Sequence, residues 1–157
     1  MIEDFSTETI QQIAQQFAEA YKQAIIDSGH NASGSLVQSI KPVVLYENDT
    51  VSITLEGNEY AIYLENGTKP HFPPVSKILE WIRVKPILPR PINGKLPTEP
   101  QLAYLIARKI SLEGTKPTHL MQTTATQLNL NTRLAEAISK ELTKQFDDEH
   151  IKDFFQK

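Results

Sequence analysis

The stretch KPVVLYENDTVSITLEGNEYAIYLENG, residues 41–67, decides the fold class. Val43, Val44, Leu45 and Tyr46 form a β-branched and aromatic run that reads as a strand. Asn48-Asp49 marks a turn. Val51, Ile53 and Leu55 then alternate with Ser52, Thr54 and Glu56, the two-residue period of a half-buried strand. Gly57-Asn58 is a second tight-turn signal. From Glu59 to Glu65 alternation resumes, with Tyr60, Ile62 and Leu64 on one side and Ala61 and Tyr63 on the other. Strands joined by turns this short must be antiparallel neighbours, because parallel ones need long crossovers.

Helical patterns flank this stretch. Before it, Ile10, Ile13, Phe17, Tyr21, Ala24 and Ile25 recur at steps of three and four residues. Ser6 is the predicted N-cap of that helix, Glu8 favours its positive end, and Gly29 stops it. The segment from His30 to Ser35 is turn chemistry, and Leu36 to Ile40 reads as a helical turn or the start of a strand. Beyond the stretch, Val75, Ile78, Leu79 and Ile82 give a short helix with Trp81 beside its stripe. Pro86, Pro89, Pro91, Pro97 and Pro100 stiffen a loop or arm over residues 85–100, which also contains Asn93-Gly94. Its apolar Ile87, Leu88, Ile92 and Leu96 point to an arm that covers them on something. Thr98 and Pro100 start the next helix, which carries Leu102, Leu105, Ile106 and Ile110 and ends at Gly114. His119 to Leu130 reads as extended or irregular. Asn131 caps a last helix with stripe Leu134, Ile138, Leu142 and Phe146, interrupted by Asp147, Asp148 and Glu149. A short tail with Ile151, Phe154 and Phe155 follows. The expectation is one α+β domain over residues 1–157. It comprises an antiparallel sheet of three to four strands, a long N-terminal helix, two to three further helices and the proline-rich arm.

Gly67-Thr68-Lys69-Pro70 recurs as Gly114-Thr115-Lys116-Pro117. The first copy follows a strand pattern and the second a helix pattern, so the echo reads as shared turn chemistry. In each copy glycine can take a positive φ, and proline keeps the preceding lysine out of the helical region.

Composition narrows the function classes. The absence of cysteine removes disulfides, thiolate nucleophiles and cysteine-based zinc sites. No apolar run is long enough to cross a bilayer, and Met1 to Phe5 carries acids where a secretory signal carries bases. A soluble protein made in the cytoplasm is therefore expected, with no membrane partner. From Met1 to Glu65 there are ten acidic residues, with only Lys22 and Lys41 as bases. From Lys69 to Lys95 the bases Lys69, Lys77, Arg83, Lys85, Arg90 and Lys95 face Glu80 alone. Such asymmetry suits a nucleic-acid patch, or two surfaces that meet in a head-to-tail assembly.

Catalytic motifs are missing. His30, His71, His119 and His150 include no pair at the spacing that places two imidazoles on one helix face. Asp147-Asp148-Glu149 beside His150 has the oxygens for a hard cation, but an acidic helix end is more often solvated surface. Ser33-Gly34-Ser35 lacks the nucleophile-elbow pattern and reads as a turn. Gly67-Thr68-Lys69 is not a phosphate loop, because glycine and lysine are not adjacent. Tyr60, Tyr63, Phe72 and Trp81 could stack on bases, but aromatics at such positions are more often core, and Trp81 and Tyr60 are assigned there. Tyr63 and Glu65, on the other strand face, are expected at a contact surface. No cofactor and no metal are expected.

The order of motifs resembles the tail-completion or neck family of long-tailed bacteriophages, which includes minor tail components. The matching pieces run from an amphipathic N-terminal helix to Gly34-x-Leu36-x-x-Ser39-Ile40, then Tyr60-Ala61-x-Tyr63-x-Glu65-x-Gly67-Thr68 and Pro70-His71-Phe72-Pro73. Leu79-x-Trp81-Ile82-Arg83 precedes a variable loop, and Ala107-Arg108-Lys109-Ile110 leads to Gly114-Thr115-Lys116-Pro117. Together they cover most of residues 8–125. The chain departs from the family at Val37 or Gln38, where an arginine is usual, and at His119-Leu120, where a Pro-Phe pair is usual.

The resemblance implies a structural virion protein and not an enzyme. It would be a head–tail connector subunit in a cyclic homo-oligomer, a hexamer or dodecamer. Its partners would be neighbouring connector and tail proteins, with genome DNA free to pass through the ring. On this reading Lys69, Arg83, Lys85, Arg90, Lys95, Tyr63 and Glu65 form the subunit interface, with the acidic first half meeting the basic segment of a neighbour. The alternative is a nucleic-acid-binding module using the basic segment 69–95.

Overall fold

The computed structural model describes residues 7–31, 33–48, 50–85 and 87–149, with side chains between Glu8 and Lys144. The chain is α+β. Its elements are α1 (Thr7–Asp27), α2 (Ser35–Ser39), β1 (Lys41–Glu47), β2 (Thr50–Glu56), α3 (Tyr60–Asn66), α4 (Val75–Val84), α5 (Glu99–Glu113), α6 (Leu120–Gln127) and α7 (Leu130–Glu149). They belong to two compact units. The first takes the chain up to Ala24, Ile40–Glu56 and the part from Met121 onward; the second takes Ile25–Ser39 and Gly57–Leu120.

In the first unit α1 buries the stripe that its spacing dictates. Ile10, Ala14, Phe17, Ala18 and Tyr21 are all buried. Ile13, Phe17 and Leu130 form a core cluster onto which Ile53, Leu55, Met121, Leu128 and Ala137 pack. The sheet is a two-stranded antiparallel ribbon in which Val44 pairs with Ile53 and Glu47 with Thr50. A lone hairpin is marginal in water, so the packing of Ile53 and Leu55 on α1 is what stabilises it. Pro42 is tolerated because both strands of such a ribbon are edges. Asn48 takes φ 45 at the turn; its predicted turn partner Asp49 lies outside the described residues.

In the second unit Ile78 and Ile82 of α4 pack on Ala103 and Ala107 of α5, with Trp81, Leu102, Ile106 and Ile110 around them. Ala103 and Ala107 are fully buried and lie one turn apart, so the two helices can approach closely. The start of α5 follows its sequence signals. Thr98 accepts a hydrogen bond from Gln101 N at 3.4 Å, and Gln101 Oε1 accepts one from Thr98 N at 3.0 Å. Between α4 and α5 the described residues form neither helix nor strand. Ile92 and Lys95 exchange backbone hydrogen bonds of 2.8 and 3.1 Å across Asn93 (φ 51) and Gly94 (φ 76), a left-handed two-residue turn.

Four expectations are corrected. The third strand, Glu59 to Glu65, is instead helix α3, so the sheet has two strands among the described residues. A short apolar run fits either period, and here Leu64 and Glu65 are the buried pair, which alternation would put on opposite faces. Within the segment 119–130, Leu120–Gln127 form α6 in place of extended or irregular chain. There are consequently more helices than expected, six besides α1 among the described residues. Finally, α7 continues through Asp147 and Asp148 to Glu149. The predicted cap Ser6, the tail residues Ile151, Phe154 and Phe155, and the side chains of Phe146 and the acidic cluster lie outside the described residues.

Candidate interaction surface

Every basic residue of the 69–95 segment belongs to the second unit. Lys69 among them is positioned by the repeated Gly-Thr-Lys-Pro. Gly67 ends α3 with φ 67 and Gly114 ends α5 with φ 70; each donates its N–H to the residue four back, Tyr63 O and Ile110 O, at 2.8 Å. The two Thr then pair antiparallel. Thr68 N reaches Thr115 O and Thr115 N reaches Thr68 O, both at 3.1 Å, and the hydroxyls meet at 3.0 Å.

The exchange continues outward. His71 N donates to Ile110 O at 3.4 Å, while Thr118 N and Oγ1 donate to Leu64 O at 3.0 and 2.8 Å. Thr118 thereby satisfies the Leu64 carbonyl, which the end of α3 leaves open, while His71 adds a second, longer bond to the Ile110 carbonyl that Gly114 already caps. The echo is turn chemistry, as its residues suggest, and it is also a clasp. The sequence carries the repeated tetrapeptide, but that both copies follow helices came only from the structure, and pairing across 47 residues is invisible to local patterns.

The clasp presents Lys69 and Lys116 at the rim of a concavity of about 640 Å³ that is also lined by Tyr60, Tyr63, His30 and His71. Tyr63 is half exposed. Glu65 is not: it is buried, 8% exposed, on the inner side of α3, and offers no contact surface. Tyr60, assigned to the core, is 46% exposed. Both corrections follow from helix replacing strand. Trp81 does pack against the α4–α5 core.

Arg83 pairs with Glu99 at 3.1 Å, and Lys77 with Glu80 at 3.2 Å. Lys85 donates to Gly29 O and lies 5.6 Å from the centre of the Trp81 ring. Lys69, Arg90 and Lys95 have no ion pair among the described residues. Burial, and then the charge of Lys85, holds the His30 imidazole below its ordinary pKa. His30 Nδ1 contacts Ser28 Oγ at 2.8 Å. Burial pushes the Tyr60 hydroxyl up.

A second concave region flanks α5. One part, about 680 Å³, is lined by Arg90, Ile92, Leu105, Lys109 and Lys116; the adjoining part, about 610 Å³, shares Ile92 and Leu105 and adds Lys95, Leu96 and Tyr104. Phe72 holds the Tyr104 ring at 6.2 Å in a tilted arrangement. Leu88, Ile92, Leu96, Tyr104 and Leu112 are exposed by half or more. Lys109, Lys116, Tyr104 and Leu105 were not among the sequence-derived candidates. A second stripe on α5, Leu105-Lys109-Leu112, was the available signal.

The described residues contain no cluster of three His, Asp or Glu able to hold a metal, and no helix among them is long and apolar enough to cross a membrane. Ser33-Gly34-Ser35 is the turn into α2, with Ser33 Oγ accepting from Ser35 N at 3.4 Å. No family model, curated protein or solved structure matches this chain.

Proposed function

We propose that this chain is a structural subunit of the head–tail junction of a tailed bacteriophage and acts by assembling into a ring with copies of itself. The observation that carries the reading is the apolar surface of the second unit. Leu96 is 64% exposed, Tyr104 51% and Ile92 50%, in a region also lined by Arg90, Lys95, Lys109 and Lys116. Contiguous apolar surface rimmed by charge is characteristic of protein contacts. Closed rings need one surface of a subunit to meet a different surface of the next. The uneven distribution of acids and bases along the chain suits such a contact. The resemblance of the motif order to the neck family is what suggests the head–tail junction as the station and the proline-rich loop as an arm.

Antibodies raised against the chain, visualised with gold on purified phage particles by electron microscopy, test the location. Label confined to the head–tail junction is the expected result. Intact and gently disrupted particles that both lack label would sink the reading.

A further inference from the structure

We infer that the apolar region flanking α5 receives the C-terminal segment, residues 146–157, of a second copy of this chain. This deepens the ring reading and rests on it. The receiving surface combines two features. Its floor is apolar, with Ile92 and Leu105 common to both halves and Leu96 and Tyr104 extending it. Its rim is basic, with Arg90, Lys95, Lys109 and Lys116 against Glu113. Lys109 and Lys116 come from α5 and the clasp, Arg90 and Lys95 from the proline-rich loop. The charge therefore comes from two separate segments of the chain.

A fitting occupant needs acids interleaved with large apolar side chains. Residues 146–157 hold four acids (Asp147, Asp148, Glu149 and Asp153) and four such residues (Phe146, Ile151, Phe154 and Phe155), against Lys152 and Lys157. Aromatic anchors in an apolar groove give affinity, while charges at the rim set register and speed encounter. Donor segment and receiving groove are different surfaces of one chain, which is the heterologous arrangement that closes rings.

The test is a titration of the full chain into a fluorescently labelled synthetic peptide of residues 146–157, followed by anisotropy. Saturable binding is expected, weakening as salt rises. Lys109→Glu or Tyr104→Ala in the chain, or Phe154→Ala with Phe155→Ala in the peptide, should each weaken it about tenfold or more. Both chain substitutions fall on exposed positions of α5, and circular dichroism checks that they fold.

Absence of saturable binding, or binding indifferent to these substitutions, overturns the inference. So does tighter binding of a peptide of residues 1–6, or displacement of the peptide by a short DNA duplex at equal phosphate charge, which would assign the groove to the N-terminus or to nucleic acid. The particle labelling separates this inference from the ring reading. Junction label with no peptide binding removes only the groove assignment. Peptide binding with no label leaves a self-association surface without a place in the virion.

Discussion

At position 67, a methyl group would meet Thr115 O at 2.3 Å, and at position 114 one would meet Thr68 O at 2.0 Å. Both glycines also sit at positive φ, 67 and 70. The neighbouring atoms are backbone and cannot swing aside. Gly67→Ala and Gly114→Ala should each cost roughly 2–5 kcal/mol, adding left-handed strain to a clash inside the clasp. Gly94 is the internal control: its φ is 76 but nothing lies within 4 Å, so Gly94→Ala should lose only about 1 kcal/mol. Urea unfolding measures all three, and equal losses would mean that the clasp adds nothing. His30 supplies a second test. Its folded pKa lies below the unfolded value of about 6.5, so the unfolded chain binds the extra proton. Its contribution is intact above that value and is lost as pH falls through the window below it. His30→Gln should flatten this part of the stability profile, and an unchanged slope just below pH 6.5 would assign it to other groups.

Among the elements, α5 is the one whose beginning and end were legible in sequence. Thr98, Pro100, Gln101 and Gly114 occupy the positions that helix chemistry assigns them. Thr98→Ala should remove about 1 kcal/mol, read as a shift in the urea midpoint with an unchanged slope. The element least legible was α3. Tyr60, Ile62 and Tyr63 favour a strand locally, yet Thr118 and His119 donate to the carbonyls of Leu64 and Glu65, groups that a helix end leaves open. That bonding comes from a segment more than fifty positions away and is absent from any local window. Asn66-Gly67 was a usable stop signal, since it marks a helix end as readily as a hairpin. Backbone carbon chemical shifts over 60–66 check the assignment: helical values are expected, and extended values would restore the third strand.

For the whole molecule, the decisive quantity is which charges remain available to another chain. Arg83 and Lys77 have carboxylate partners and Lys85 a carbonyl, whereas Arg90 and Lys95 have no ion pair among the described residues. Reversal at Arg90 and Lys95 together should therefore block assembly and leave the monomer folded. Reversing Arg83 would also disturb its exposed pair with Glu99, a contact of small worth. Sedimentation with circular dichroism separates the outcomes: a folded double variant that assembles like the unaltered chain would remove these bases from the interface.

The sequence by itself determined the helical stripe of α1, the β1–β2 ribbon, the caps of α5 and the turn geometry of both Gly-Thr-Lys-Pro copies. Each is settled within about one helical turn or one strand pair, where side-chain spacing and backbone sterics act. Tertiary structure alone decided that residues 60–66 are helical, that Glu65 is buried while Tyr60 is exposed, and that the two tetrapeptides lock together. The hydrogen bonds that end α3 and pair the tetrapeptides join residues far apart in the chain, and the placing of Tyr60 and Glu65 follows from that helix, whereas local preferences amount to only a few tenths of a kcal/mol to about 1 kcal/mol per residue.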